Sequence, residues 1–298
     1  MYKRQAEDKA KSFAVFDGAW DVHDAPAQMA RLMALAPDIT PPPGFEEPGK
    51  RSVFMDIYAS LARLHMKTFG TTQRQLAAVA AKNHMHSTRN SLAQFQYPLT
   101  IEEALAARPV SWPLTLPMCA PISDGAAAAI VCNAQGLKRL REARAVRLYA
   151  SVLRTATDRP ADRYDRHLCH LAALEAYERA GVGPQDMSLA EVHDATAFAE
   201  IQQTEALGFC AFGEGGPMAE SGATSLGGRI PINVSGGLLS RGHPIGATGL
   251  AQVHEMVIQL RGQAGARQVD GARFAIAENG GGFNGVEEAV TCITLLGH

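Results

Sequence analysis

Asn233-Val-Ser-Gly-Gly-Leu-Leu-Ser-Arg-Gly-His243-Pro-Ile-Gly246 places a histidine in a glycine-rich turn directly ahead of a helical pattern. Leu250, Val253, Val257 and Leu260 recur at helical spacing, Arg261 stands in the last turn and Gly262 stops it. The pattern predicts a helix over about 246–261. His243 then sits at a helix entrance, where free backbone N–H groups and the positive end of the dipole favour an anionic ligand. The same field makes a neutral imidazole easier to keep at neutral pH. The loop reads as an active-site loop.

Outward from this loop, helix and strand patterns alternate. The spacing predicts a helix over 133–141, a strand over 145–155, a helix over 163–180 ended by Gly181-Val-Gly-Pro184, a strand over 188–192 and a helix over 196–207. Strands over 272–277 and 286–296 follow the His243 helix. Such alternation predicts a layered α/β domain. Upstream, Val53, Ile57, Leu61 and Leu64 are spaced for a buried helical stripe, Thr71-Thr-Gln-Arg-Gln opens a helix reaching about Lys82, and another spans about 100–107. Residues 37–48 read as a Pro-rich surface connection, and 12–16 offer a short strand candidate. Residues 125–131 are compact and apolar, and periodicity leaves them open between helix and strand.

Composition fits a folded enzyme. The 298 residues are 46% apolar, and 28 basic against 30 acidic residues leave a net charge of −2. That length and apolar content suffice for one large or two ordinary α/β domains. No basic run points to nucleic acid, no uninterrupted apolar stretch approaches about 18 residues, and Met1-Tyr-Lys-Arg-Gln lacks the apolar segment of a secretory signal. The expectation is a cytoplasmic chain with no membrane span. Cys119, Cys132, Cys169, Cys210 and Cys292 are odd in number and without C-x-x-C spacing, which favours free thiols over disulfides or zinc.

Three motifs carry a family resemblance. Glu191-Val-His193-Asp194-Ala195-Thr196 is similar to E-x-H-D-C-F. Asn233 to Gly249 is similar to N-x-S-G-G-x-x-x-x-G-H-P-x-G-A-T-G, and Glu278-Asn279-Gly280-Gly281-Gly282 stands in the place of C-x-G-G-G. Similarity extends over Lys82-Asn83-His84-Met85-His86-Ser87 and Ser123-Asp124-Gly125-Ala126-Ala127-Ala128. Together these resemble the thiolase superfamily, most closely its sterol-carrier-protein-type branch, over roughly residues 52–298.

The resemblance implies a layered thiolase-like α/β fold in which residues 133–298 form a whole C-terminal half and 1–132 a partial N-terminal half. In the family, the segment matching 125–131 is a central strand near the pantetheine channel of coenzyme A. The implied substrate is a coenzyme A thioester, with no permanently bound cofactor and no metal. Site roles follow residue by residue. His243 matches the histidine that activates a nucleophilic cysteine, His193 a partner in an oxyanion hole, and the Gly280 N–H a donor of a second hole. None of the five cysteines falls in a matching nucleophile motif, so this chain alone is expected to lack thiolase turnover. Ala195 and Glu278 stand where the family has acid/base cysteines, and a buried Glu278 with a raised pKa could serve as the base, as in thiolase-like enzymes of retro-aldol chemistry.

His193, His243 and Gly280 are expected to converge on one pocket built from strand-end loops. Bland readings stand beside these. His193-Asp194 could be a turn device, Glu278 a solvated strand-end carboxylate, and Gly280 to Gly282 a tight turn. His84 and His86 could hint at a metal, but without a third ligand they read as loop structure. His167 and His170 read as surface or interface residues. The implied activity is of the acetyl-CoA acyltransferase type, acyl transfer or C–C bond cleavage on coenzyme A thioesters; the alternatives are a non-catalytic thiolase-like scaffold subunit, or an aldolase-type homologue acting in lipid or steroid degradation. A homo-oligomer or partner subunit is expected, since an incomplete half would leave apolar faces uncovered.

Overall fold

The computed structural model describes residues 20, 23–49, 51–140 and 144–298, so the strand candidate at 12–16 lies outside the described part. Among the described residues four helices come first: α1 (Ala25–Met33), α2 (Val53–Phe69), α3 (Gln73–Ser87) and α4 (Ile101–Ala106). The Asp24 carboxylate accepts the Ala27 N–H and fixes the start of α1, which the sequence reading did not anticipate. Thr72 and Thr100 start α3 and α4 with reciprocal capping boxes to Gln75 and Glu103. The Pro-rich stretch between α1 and α2 carries neither helix nor strand.

Helix α3 runs to Ser87, five residues beyond the predicted end. His84 and His86 therefore lie on a buried helix rather than in a loop. Short strands β1 (Pro109–Ser111) and β2 (Leu114–Thr115) form a hairpin. The apolar segment 125–131 is neither helix nor strand, and Ile130 and Val131 are 88% and 85% exposed. Among the described residues no strand supplies a ladder for it, and without one an apolar run has no reason to be a strand. The helix predicted over 133–141 shrinks to one turn, α5 (Ala134–Leu137), capped by the Asn133 side chain.

The second layer system is a four-stranded sheet. It combines β3 (Arg147–Thr155), β4 (Leu189–Glu191), β5 (Phe274–Gly281) and β6 (Val290–Gly297) in the order β3-β6-β5-β4. Only β4 and β5 run parallel. Helix α6 (Leu168–Ala180) packs on one face with Val152, Ile276, Ile293 and Leu295. Helix α9 (Thr248–Leu260) packs on the other with Leu189, Ala275, Ala277 and Leu296. Alternate strand residues point to opposite faces, which is why Ile276 and Ala277 go to different layers. Two further helices intervene, α7 (Ala197–Ala206) and the short α8 (Gly215–Glu220).

Three local expectations are corrected. The helix expected over 163–180 is a separate turn at Tyr164–Arg166 followed by α6. His167 is its cap, buried rather than on the surface. In α9 the buried face is Thr248, Gln252, Glu255, Met256, Gln259 and Leu260, while Leu250 is exposed. Those polar side chains are buried because they are bonded: Gln252 to the Glu278 carbonyl, Glu255 to Arg267, Gln259 to the Arg267 carbonyl. Among the described residues no helix is long and apolar enough to cross a membrane.

Every residue of α7 is buried, because it is the joint between the helical region and the sheet layers. Its Glu200 pairs with Lys82 of α3 at 2.6 Å and accepts from Asn83 and Asn233. Lys82 also donates to the Ile232 carbonyl at 2.7 Å. Lys82→Met should therefore cost about 3–5 kcal/mol, because it leaves a buried carboxylate uncompensated. Urea unfolding measures this, and a loss below about 1 kcal/mol would show the pair to be energetically idle.

Candidate active site

Two loops meet above the ends of β4 and β5. The first leaves β4 at Glu191 and turns through His193 and Asp194 before Thr196 caps α7, its hydroxyl accepting the Ala199 N–H. The second is 233–247. Asn233 sits at φ +56° and uses both ends of its amide, accepting the Val192 N–H and donating to Glu200. The Asp194 carboxylate then anchors the loop by accepting the Leu238 N–H at 2.6 Å and the Leu239 N–H at 3.3 Å. Gly237 is required there: its φ is +59°, and a Cβ would run into the Asp194 carboxylate. Glu191, also buried, takes the Ser235 N–H and hydroxyl, and burial pushes it up to about 7.

This architecture brings His193 and His243 together, ring centroids 5.0 Å apart and nearly perpendicular. Ser123 holds the His243 backbone, its hydroxyl accepting the N–H at 2.9 Å. The His243 Nδ1 lies 2.8 Å from the Thr248 hydroxyl, which also reaches the Pro244 carbonyl at 3.2 Å. A hydroxyl both donates and accepts, so Thr248 serves either tautomer. With its proton on Pro244 it accepts from Nδ1–H and leaves Nε2 bare as a base. Turned toward Nδ1, it leaves Nε2–H free to donate. Thr248 opens α9, two residues after the predicted start, because 244–247 form a turn on the Pro244 carbonyl.

Burial lowers both imidazoles, His193 to about 3 with help from the charge of His243, and His243 to about 4 with help from Arg241. Both are neutral at neutral pH. The His193 Nδ1 is buried with no partner, the kind of orphan a functional site keeps. Glu278 is fully buried, not solvated: its Oε2 accepts the His193 backbone N–H at 3.0 Å and its Oε1 accepts the Thr291 hydroxyl at 2.9 Å. Burial, and then the charge of Glu288, push it up to about 8. Gly280 and Gly281 belong to β5 rather than to a turn, which begins at Gly282 with φ +63°. Gly280 adjoins the cluster on its carboxyl side, beneath Glu278 and Glu288.

The other candidates fall away from this centre. His86 accepts the Leu226 N–H on Nε2 and so donates from Nδ1 to the Asn233 carbonyl, both at 2.9 Å. Burial lowers it to about 3, and it is a spacer with nothing left for a ligand. His84 stacks on Phe95. Among the described residues no three His, Cys, Asp or Glu are placed to hold a metal. Cys119 bridges to Thr196 beside the His193 turn, but its thiol donates to the Thr115 carbonyl and burial pushes it up to about 12. It is held as a thiol, unfit as a nucleophile. The sequence reading gave no role to Ser123, Thr248 or Glu288, although Ser123 and Thr248 stand in the motifs quoted above and Glu288 is a charge inside a predicted strand.

Residues 158–294 match the family profile described as thiolase C-terminal domain-like. This part of the chain belongs to the thiolase family. The acetyl-CoA acetyltransferase of Methanothermobacter thermautotrophicus is 44% identical over 235 residues, which are 78% of this chain and 61% of that protein. Sterol carrier protein 2 of Rattus norvegicus is 41% identical over 232 residues, 75% of this chain and 42% of that protein. The chain thus spans less than two thirds of the length of either relative. The structure of the Ltp2-ChsH2(DUF35) aldolase matches with a TM-score of 0.71 at 23% identity, over 93% of this chain and 68% of that one. The layered fold is thiolase-like.

The buried carboxyls of this thiolase-like site set a pH dependence of stability. Glu191, Glu278 and Glu288 are raised above their unfolded values, so their contribution is complete below the ordinary carboxylate range and is lost as pH rises through about 7 to 8. His86, His193 and His243 are lowered, so theirs is present above about 6.5 and is lost as pH falls through about 4 and 3. Above about pH 6.5 the carboxyls act alone. Unfolding free energy should fall by on the order of 2 kcal/mol between about pH 6.5 and 8. Denaturant titrations at the two pH values measure it, and a flat or rising stability contradicts it.

Proposed function

We propose that the chain acts on coenzyme A thioesters and makes or breaks a carbon–carbon bond next to the thioester carbonyl. Acyl transfer of the acetyl-CoA acyltransferase type is the parent chemistry, but Cys119, the cysteine beside the His193 turn, is held as a thiol. The observation that carries the reading is the pair of neutral imidazoles, 5.0 Å apart, beside a carboxyl that can hold a proton at neutral pH. In the retro-aldol direction, His243 Nε2 takes the proton of the β-hydroxyl. The electrons of the breaking bond pass into the thioester enolate, and His193 donates to its oxygen. Glu278 then returns a proton to the α-carbon, so that an acyl-CoA and a carbonyl compound leave.

The test is deuterium exchange at the α-carbon of acetyl-CoA, the half of the cycle that needs no second substrate. Exchange above the solution rate, unchanged in Cys119→Ser, is expected. Absence of exchange together with thiolysis of acetoacetyl-CoA that Cys119→Ser abolishes would overturn the reading in favour of cysteine chemistry.

A non-catalytic scaffold is the second reading. The exposed Ile130 and Val131, with Ile122 upstream of the same segment, favour it, because exposed large apolar side chains suit a partner subunit or a second copy. Light scattering that finds a monodisperse monomer would remove that support.

A further inference from the structure

Glu278 and Gly280 stand on one face of β5, two residues apart, and Thr291 of β6 lies opposite Gly280 on the same face. Two carboxyls converge over this glycine. A Cβ at Gly280 would stand 2.7 Å from the Cγ and 3.4 Å from the Cδ of Glu288, and 3.2 Å from the Oε1 of Glu278. A residue without a side chain leaves room for both. Neither carboxyl is exposed beyond 2%.

The partners of the two carboxyls are uncharged. Glu278 has the His193 N–H and the Thr291 hydroxyl. Glu288 accepts from the Gln203 amide of α7 at 3.0 Å, and its Oε2 has no hydrogen-bond partner. His167 stands 3.4 Å from that oxygen. Its Nδ1 accepts the Cys169 N–H, so its Nε2 carries the proton and gives it to the Gln202 side-chain amide at 2.6 Å, and burial keeps the ring neutral. Arg159 is bound at 2.7 Å to Glu287 and reaches Glu288 only as a more distant charge. Tyr58 of α2 and Cys169 of α6 feel both carboxylates, and burial holds each in its neutral form.

We propose that Glu288 is a positioning residue for Glu278: the two carboxyls over Gly280 share one proton, and Glu288 sets the charge that Glu278 presents to the site. Two like charges brought this close in a dry interior cannot both ionise cheaply, so the first ionisation opposes the second. The same logic separates acid from base in paired-carboxyl enzymes. Burial first and the partner's charge next raise Glu278 to about 8; burial and the Glu287 charge raise Glu288 to about 7. The consequence for catalysis rests on the base role assigned to Glu278 above; the sharing of the proton does not.

Carbon-13 NMR of the glutamate side-chain carboxyls tests this on the wild-type chain, Glu288→Gln and Glu278→Gln. Glu278 is expected to titrate with a partner in two linked steps in the wild type. In Glu288→Gln it should titrate alone, with its midpoint lowered by about one unit or more. Glu288→Asp, which keeps the charge, should retain two steps and covers the case of a Gln variant that fails to fold. An unmoved Glu278 midpoint in Glu288→Gln overturns the proposal. The second readout is the pH profile of α-proton exchange, which should move with the Glu278 midpoint. A shifted midpoint with no exchange in the wild type refutes the base role and leaves the shared proton standing. Exchange in the wild type with an unmoved midpoint refutes the shared proton alone.

Discussion

His243→Ala is expected to lower α-proton exchange on a bound coenzyme A thioester by about 10²–10³-fold: this half-reaction has no β-hydroxyl to deprotonate, so Thr248 turns toward Nδ1 and the His243 Nε2–H donates beside His193 to the developing enolate oxygen. The residue is the point at which three constraints meet. Ser123 holds its backbone, Thr248 its Nδ1, and the His193 ring its edge. The side chain does not support the core, so the variant should fold with close to wild-type stability and bind the thioester within a few-fold of the wild type. An exchange rate within a few-fold of the wild type would remove His243 from the chemistry. A large loss of binding with unchanged turnover would instead make it a substrate contact.

Glu278→Gln should lower the same exchange by about 10²–10⁴-fold, the range for loss of a positioned acid/base. Its stability effect has the opposite sign. The native carboxyl is raised to about 8, so its contribution disappears as pH rises toward that value, whereas a glutamine does not titrate. The decline in stability between about pH 6.5 and 8 should therefore shrink by at least half in the variant. The amide can keep the bonds to the His193 N–H and Thr291 through its oxygen and a turned hydroxyl. Lower activity with higher alkaline stability separates a functional carboxyl from a structural one. If the variant loses both, Glu278 is a framework residue.

The parts of the site that the sequence revealed are those where the backbone itself is constrained. Asn233, Gly237 and the Pro244 turn admit few alternatives, and their spacing announces a loop before a helix. The α/β alternation after residue 144 was legible for the same reason, since strands and helices there bury regular faces. What stayed hidden depends on partners far along the chain. The buried face of α9 is polar because Arg267 and the Glu278 carbonyl satisfy it, which no periodicity of apolar residues can reveal. Lys82 and Asn83 stood only in a family-like stretch and Glu200 was not singled out, because their pairing exists only once α3 and α7 are laid together. Residues 125–131 look like a strand only on the assumption that a neighbouring strand exists.

The strand order β3-β6-β5-β4 also has a consequence for how the chain is made. Arg147 pairs with Gly297, and β5 touches β3 only through β6. While β3, α6 and β4 emerge from the ribosome, their apolar faces have no sheet to join, because the strand that seats between β3 and β5 is translated after both. The nascent chain must hold Val152, Leu189 and Ile276 out of water-exposed collapse until residues 290–297 arrive. A ribosome stalled just before β6 should therefore carry a protease-sensitive, chaperone-bound chain, and release of the last strand should convert it to a resistant one in a single step.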